Sequence, residues 1–214
     1  DAYGVGQLFA APGSAGEPMR RVVERAAADD GFEVLAWRRV PTDPGVLGRA
    51  ARRSEPAVWQ CFVAPRRALP PATLDVRLYL LRRLIEQRAR GEPPGLYVCS
   101  LDRRRLVYKG LLTSAQLAAY YPDLGDPAMA SALALVHARF STNTLGAWPL
   151  AHPYRCIVHN GEFNTLRGNR NWMRAREQAL ASPRFGADVT RLRALIDERA
   201  SDSASFDAVL ELLL

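Results

Sequence analysis

Two stretches of this chain carry side chains suited to chemistry. His137-Ala-Arg-Phe-Ser-Thr-Asn-Thr144 sets Arg139 among small hydroxyl and amide groups. Further along, His159-Asn-Gly-Glu-Phe-Asn-Thr165 puts an Asn-Gly pair at the end of an apolar run. A guanidinium next to an apolar strand needs a partner, and its planar fork matches a carboxylate. Ser141, Thr142, Asn143 and Thr144 could complete such a pocket. The side-chain amide of Asn160 and the backbone N–H of Gly161 make two donors, the minimum for an oxyanion hole. Asp202, in Ser201-Asp-Ser-Ala-Ser205, offers a carboxylate to a substrate ammonium. Together these groups would hold an amino acid at both charged ends while an oxyanion develops.

Each group also has a purely structural explanation. Arg139 fits an internal salt bridge in a polar turn. Asn160-Gly161 fits a hairpin, since both residues tolerate positive φ. Ser201 is a good N-cap, and an acid in the first turn suits the helix dipole. No residue is placed to be the nucleophile. Cys61, Cys99 and Cys156 sit in apolar stretches and read as buried, inert thiols. They are odd in number and far apart, so they form neither a metal pattern nor a disulfide framework. His137, His152 and His159 have no metal spacing and read as structural.

The elements that must position these groups follow from period and punctuation. Strands are predicted over 3–10, 32–40, 57–63, 96–100, 105–111, 131–140 and 154–158, the last two buried. Helices are predicted over 17–30, 73–90, 113–120, 164–180 and 201–214. The segment 41–56 reads as loop or a short helix, and 121–125 as a turn. Strands with helices between them, and strand pairs around tight turns, imply a layered α+β sandwich.

Composition narrows the classes. The chain has 214 residues with 48% hydrophobic content, enough for a core, and 24% charged residues. No apolar run approaches the roughly 18 residues of a membrane span, and the N-terminus has no signal-peptide core. With its cysteine usage, a cytoplasmic protein is expected. The net charge of +7 is carried by arginine, Lys109 being the sole lysine. The arginines are scattered in pairs rather than gathered in a basic arm, so no nucleic-acid partner is expected.

These segments resemble the class II (N-terminal-nucleophile) glutamine amidotransferases, and among them the glutaminase domain of glutamate synthase large subunits. The resemblance rests on His137-Ala-Arg-Phe-Ser-Thr-Asn-Thr144, Trp148-Pro-Leu-Ala151, His159-Asn-Gly-Glu162, Asn164-Thr165, Gly168-Asn169 and Asn171-Trp172. Tyr108-Lys-Gly110, Tyr121-Pro-Asp-Leu124, Ser201-Asp-Ser203 and the segment from Gly31 to Arg38 also match, in collinear order. The resemblance implies a four-layer αββα sandwich, incomplete here. It implies that Arg139 binds the α-carboxylate of L-glutamine with Thr142 nearby. Asp202 would bind the α-amino group, and Asn160 and Gly161 would form the oxyanion hole. The implied reaction is attack by a thiolate on the glutamine amide, release of ammonia, and hydrolysis of a thioester.

In the family that thiolate belongs to a cysteine at the mature N-terminus, with its own α-amine as base. This sequence opens on Asp1. Residues 1–214 are therefore expected to be a partial glutaminase domain, inactive alone, with the nucleophile segment upstream and synthase domains downstream. Ammonia would there convert 2-oxoglutarate to glutamate. The resemblance implies FMN and an iron–sulfur cluster in the rest of the protein and no cofactor in this chain. It also implies a small electron-donating subunit or ferredoxin as partner. Two other classes stay open: a glutamine-binding regulatory module without catalysis, and a basic nucleic-acid-binding domain.

Overall fold

The computed structural model describes residues 2–90, 95–138, 146–197 and 200–214. Its centre is an antiparallel sheet of four strands: β1 (Gly4–Ala10), β2 (Phe32–Arg39), β3 (Ala57–Pro65) and β4 (Tyr97–Asp102), in the order β2-β3-β1-β4. Successive side chains of a strand point to opposite faces, and both faces here are covered. Leu8, Trp59, Cys61, Val63 and Val98 pack against α1 (Glu17–Asp29) and α3 (Pro71–Ala89), with Met19, Val23, Leu74, Leu78 and Leu81. Phe9, Val58 and Cys99 face the other way, onto Tyr120, Tyr121 and Trp148. Tyr120 ends the short helix α4 (Ser114–Tyr120), and Trp148 opens a 3-10 turn, Trp148–Leu150. Between β2 and β3 lie a 3-10 turn and the short helix α2 (Arg49–Arg53). The start of α1 needs Gly16: its φ is +83°, and a Cβ there would lie 2.8 Å from the Trp59 ring nitrogen.

Helices α5 (Leu166–Glu177) and α6 (Asp202–Leu213) complete the chain. Ion pairs join α6 to α3. Arg82, almost fully buried, reaches Glu86 at 2.5 Å and also Glu211. Arg155 contacts Glu86 at 2.8 Å and the fully buried Asp207 at 3.5 Å. Burial pushes the Glu86 carboxyl up, but Arg82, Arg155 and Arg83 outweigh it and bring it down to about 2. Through this cluster the middle and last turn of α6 are tied to the sheet-bound helix.

The α+β class and the first four strands match the sequence. Three predicted strands form no ladder among the described residues, and for two the reason is visible in where their backbone groups go. In 105–111, the Val107 N–H donates to Ser100 Oγ at 3.2 Å, and the Lys109 carbonyl accepts from the Tyr121 hydroxyl at 2.8 Å. In 154–158, the Asp207 carboxylate takes the N–H groups of Arg155 and Cys156, at 3.3 and 2.7 Å. Side chains have taken bonds that a neighbouring strand would use. The run 131–140 is described to residue 138. There Leu133, Leu135 and Val136 are exposed, and the segment pairs with no strand among the described residues. The described residues accordingly contain one sheet. Among them no helix is long and apolar enough to cross a membrane.

Candidate functional site

Ser201 caps α6 by accepting the Ala204 N–H at 3.1 Å. Asp202 is then the first helical residue, 5% exposed. Among the described residues its carboxylate accepts from Phe163 N–H at 3.1 Å, from Ser203 N–H at 2.7 Å and from Ser203 Oγ at 3.2 Å. The Phe163 bond crosses from α6 to the loop that carries Asn160 and Gly161. A second tie joins the same two pieces, since His159 Nε2 lies 2.8 Å from Ser203 Oγ. The Phe163 ring stacks on Phe206 of α6, centroids 4.7 Å apart, and meets the His159 ring edge-on at 5.1 Å. Asn160 and Gly161 themselves are exposed. The structure therefore sets the two predicted oxyanion donors on an open loop whose flanks are bonded to the predicted ammonium-binding carboxylate and its neighbour.

A third tie comes from the other stretch. His137 Nε2 is 2.7 Å from the His159 carbonyl oxygen. A carbonyl only accepts, so this ring nitrogen carries the proton. His137 lies two residues before Arg139, so the arginine stretch starts beside the Asn160 loop. Arg139 and Thr142 lie outside the described residues.

His152 sits behind this junction, 7% exposed. It stacks on His137 at 4.3 Å and meets Tyr154 edge-on at 4.7 Å. Burial, then His137, His159 and Lys109, hold its imidazole down at about 4. Lys109 is buried between Tyr97 and Tyr154. Its ammonium is 3.1 Å from the Tyr97 hydroxyl and under 5 Å from both ring centres, 4.8 and 4.7 Å. Burial lowers it to about 8.

The cysteines are poor nucleophiles. Burial pushes the Cys61 and Cys99 thiols up to about 12. Burial and the carboxylates of Glu211 and Asp207 bring Cys156 to about 11, while its sulfur accepts from Arg105 at 3.1 Å. A raised thiol pKa leaves little thiolate at neutral pH. No group of three or more potential metal ligands occurs among the described residues, so none of them fits an iron–sulfur cluster. Two clefts, of about 740 and 250 Å3, share Arg90 and Asp197 in their linings; Asn160, Gly161 and Asp202 line neither.

Sequence reasoning named Asn160, Gly161 and Asp202 but missed the residues that join them: His137, His159 and Ser203. The available signal was adjacency, because His159 precedes Asn160 and Ser203 follows Asp202. A histidine beside a turn carries no marker of the helix it bonds to, so adjacency alone could not reveal the tie.

Comparison with known proteins places the chain in a family. A family model described as glutamine amidotransferases class-II matches residues 1–214. The glutamate synthase [NADPH] large chain of Bacillus subtilis is 43% identical over 216 residues, covering 99% of this chain and 14% of that protein. The corresponding chain of Azospirillum brasilense is 38% identical over 213 residues, covering 98% and 14%. Glutamate synthase [NADH] of Saccharomyces cerevisiae is 44% identical over 199 residues, covering 91% and 9%. The chain thus spans a small fraction of the length of these relatives. With its whole length matched by the family model, the chain belongs to the class-II glutamine amidotransferases.

Proposed function

We propose that residues 1–214 form part of a glutaminase domain that binds L-glutamine and releases ammonia from its side-chain amide. The observation that carries this reading is the pair of bonds from Phe163 N–H to Asp202 and from His159 to Ser203. They tie Asp202 and its neighbour to both flanks of the Asn160–Gly161 pair, which supports one shared substrate site. Asp202 holds the α-amino group, and Arg139 with Thr142 holds the α-carboxylate. A thiolate attacks the amide carbon, and the new oxyanion is held by the Asn160 side-chain amide and the Gly161 N–H. The tetrahedral adduct collapses, the C–N bond breaks and protonated nitrogen leaves as ammonia. Water then cleaves the thioester to glutamate and frees the thiol.

With their raised pKa values, Cys61, Cys99 and Cys156 are unsuited to the attack. The thiolate is therefore assigned to a residue outside 1–214, and synthase domains are placed downstream. The complete domain is proposed to be a four-layer αββα sandwich. By likeness to the glutamate synthases, ammonia would pass to a synthase domain that makes glutamate from 2-oxoglutarate. FMN, an iron–sulfur cluster and an electron-donating subunit or ferredoxin are assigned to those other parts, and the site is cytoplasmic.

The test is Asn160→Ala in the full polypeptide. Loss of one oxyanion donor lowers turnover on the order of 100-fold or more. Steady-state release of ammonia from glutamine measures it, and wild-type turnover would refute the oxyanion role.

A further inference from the structure

We infer that His159 and Ser203 are positioning residues for the Asn160–Gly161 donors, a role that rests on the glutaminase reading. The His159 carbonyl accepts from His137 Nε2–H at 2.7 Å. Ser203 Oγ is 3.2 Å from Asp202 Oδ1, and a carboxylate accepts, so the hydroxyl proton points to Asp202. The same oxygen then accepts at 2.8 Å from His159 Nε2, which carries the ring proton. A directed chain runs from His159 through Ser203 to Asp202. On the far side of the Asn-Gly pair, Phe163 N–H donates to the other oxygen of the same carboxylate at 3.1 Å.

The consequence is geometric. Asn160 and Gly161 are exposed, so no core packing fixes their donors. They are bracketed instead by His159, bonded through its ring and through its carbonyl, and by Phe163, bonded through its N–H. Oxyanion stabilisation depends on donors standing within hydrogen-bond reach of where charge develops. A helix terminus that is itself capped and buried, with Ser201, Asp202 and Ser203 all enclosed, is the rigid reference for that placement. The substrate-binding carboxylate and the oxyanion donors thus share one anchor, and the distance between them is set by two short polar links. His159 and Ser203 act through the loop.

The experiment measures glutamine hydrolysis by the full polypeptide carrying His159→Ala, Ser203→Ala, both, or His159→Gln. Each single variant lowers kcat by roughly 10-fold or more, since small misplacements of catalytic groups are costly, and changes KM less than kcat. The double variant falls no further than the worse single, because both changes cut one chain. His159→Gln, which keeps a side-chain N–H donor, recovers part of kcat. Ser203→Ala removes a single oxygen and keeps the test open if His159→Ala does not fold. A rise in KM at unchanged kcat in Ser203→Ala would overturn the proposal, since it would mean Ser203 serves Asp202 only. Asn160→Ala, measured alongside, separates two failures. Wild-type kcat there removes the oxyanion reading and the positioning role with it. A kcat loss there, with wild-type kinetics in His159→Ala and Ser203→Ala, overturns the positioning role alone.

Discussion

The two halves of this molecule are held by different bonds. Through the segment ending near Gly125, strands pair with strands and both faces of the sheet are apolar, with Leu8 turned to one side and Phe9 to the other. Beyond that point, the described residues form helices and turns but no strand ladder, and several backbone groups outside the helices are met by distant side chains. Asp207 takes the N–H groups of Arg155 and Cys156, and Glu177 those of Ala194 and Leu195 at 2.9 Å each. Arg83 donates to the Ala194 carbonyl at 3.0 Å, and Gln87 to that of Arg191 at 2.8 Å. The candidate site lies entirely in this second half. An open loop can be placed by charged and polar links to a helix end without being buried, which leaves its donors accessible to a substrate.

The largest effect that would break this contrast is on stability. Arg155→Ala strips the fully buried Asp207 of its arginine partner and leaves Glu86 to Arg82 and Arg83, and breaking a buried pair costs about 3–5 kcal/mol. Denaturant unfolding of the full polypeptide measures it. A cost below that of an exposed arginine would show that apolar packing, not this cluster, secures the second half.

Acid sharpens the same contrast. The folded state holds His152 at about 4 against its ordinary 6.5, and Glu86 at about 2 against 4.5. Both are depressed on folding, so both contribute stability at neutral pH that is lost on acidification. The His152 part goes as pH falls from about 6.5 to 4, and the Glu86 part from about 4.5 to 2. His152→Phe should flatten the first limb of a plot of unfolding free energy against pH and leave the second. A plot unchanged by that substitution would contradict the assignment.

A smaller effect is expected at the cap. Ser201→Ala removes the acceptor for the Ala204 N–H and the 2.8 Å contact with the Tyr154 hydroxyl. Loss of such a cap costs about 1 kcal/mol. Thermal unfolding would detect it, and an unshifted midpoint would mean that Asp202 is positioned by its other neighbours.

The same contrast explains what was legible in the sequence. Period-two alternation and the Gly31 stop are local, so β1 to β4, α1 and α3 could be read within a residue or two. The ends of α6 were equally readable from Ser201. The segments 105–111 and 154–158 read as strands from their apolar content, but Ser100, Tyr121 and Asp207 meet some of their backbone groups. A local pattern carries no record of such distant partners. The site shows the same division. Asn160, Gly161 and Asp202 were named from residue type and resemblance, whereas the His137–His159–Ser203 links required coordinates. Arg139 and Thr142 were named in the same way and lie outside the described residues.

The central claim is that Asp202 and the Asn160–Gly161 donors serve one glutamine molecule. The most direct test is the steady-state kinetics of Asp202→Asn in the full polypeptide, with glutamine as the varied substrate. Removing the charge weakens a charge-assisted hydrogen bond worth about 1.5–3 kcal/mol. The account predicts that kcat/KM for glutamine falls by at least about 10-fold. An unchanged kcat/KM would contradict it and leave Asp202 as the first residue of a well-capped helix.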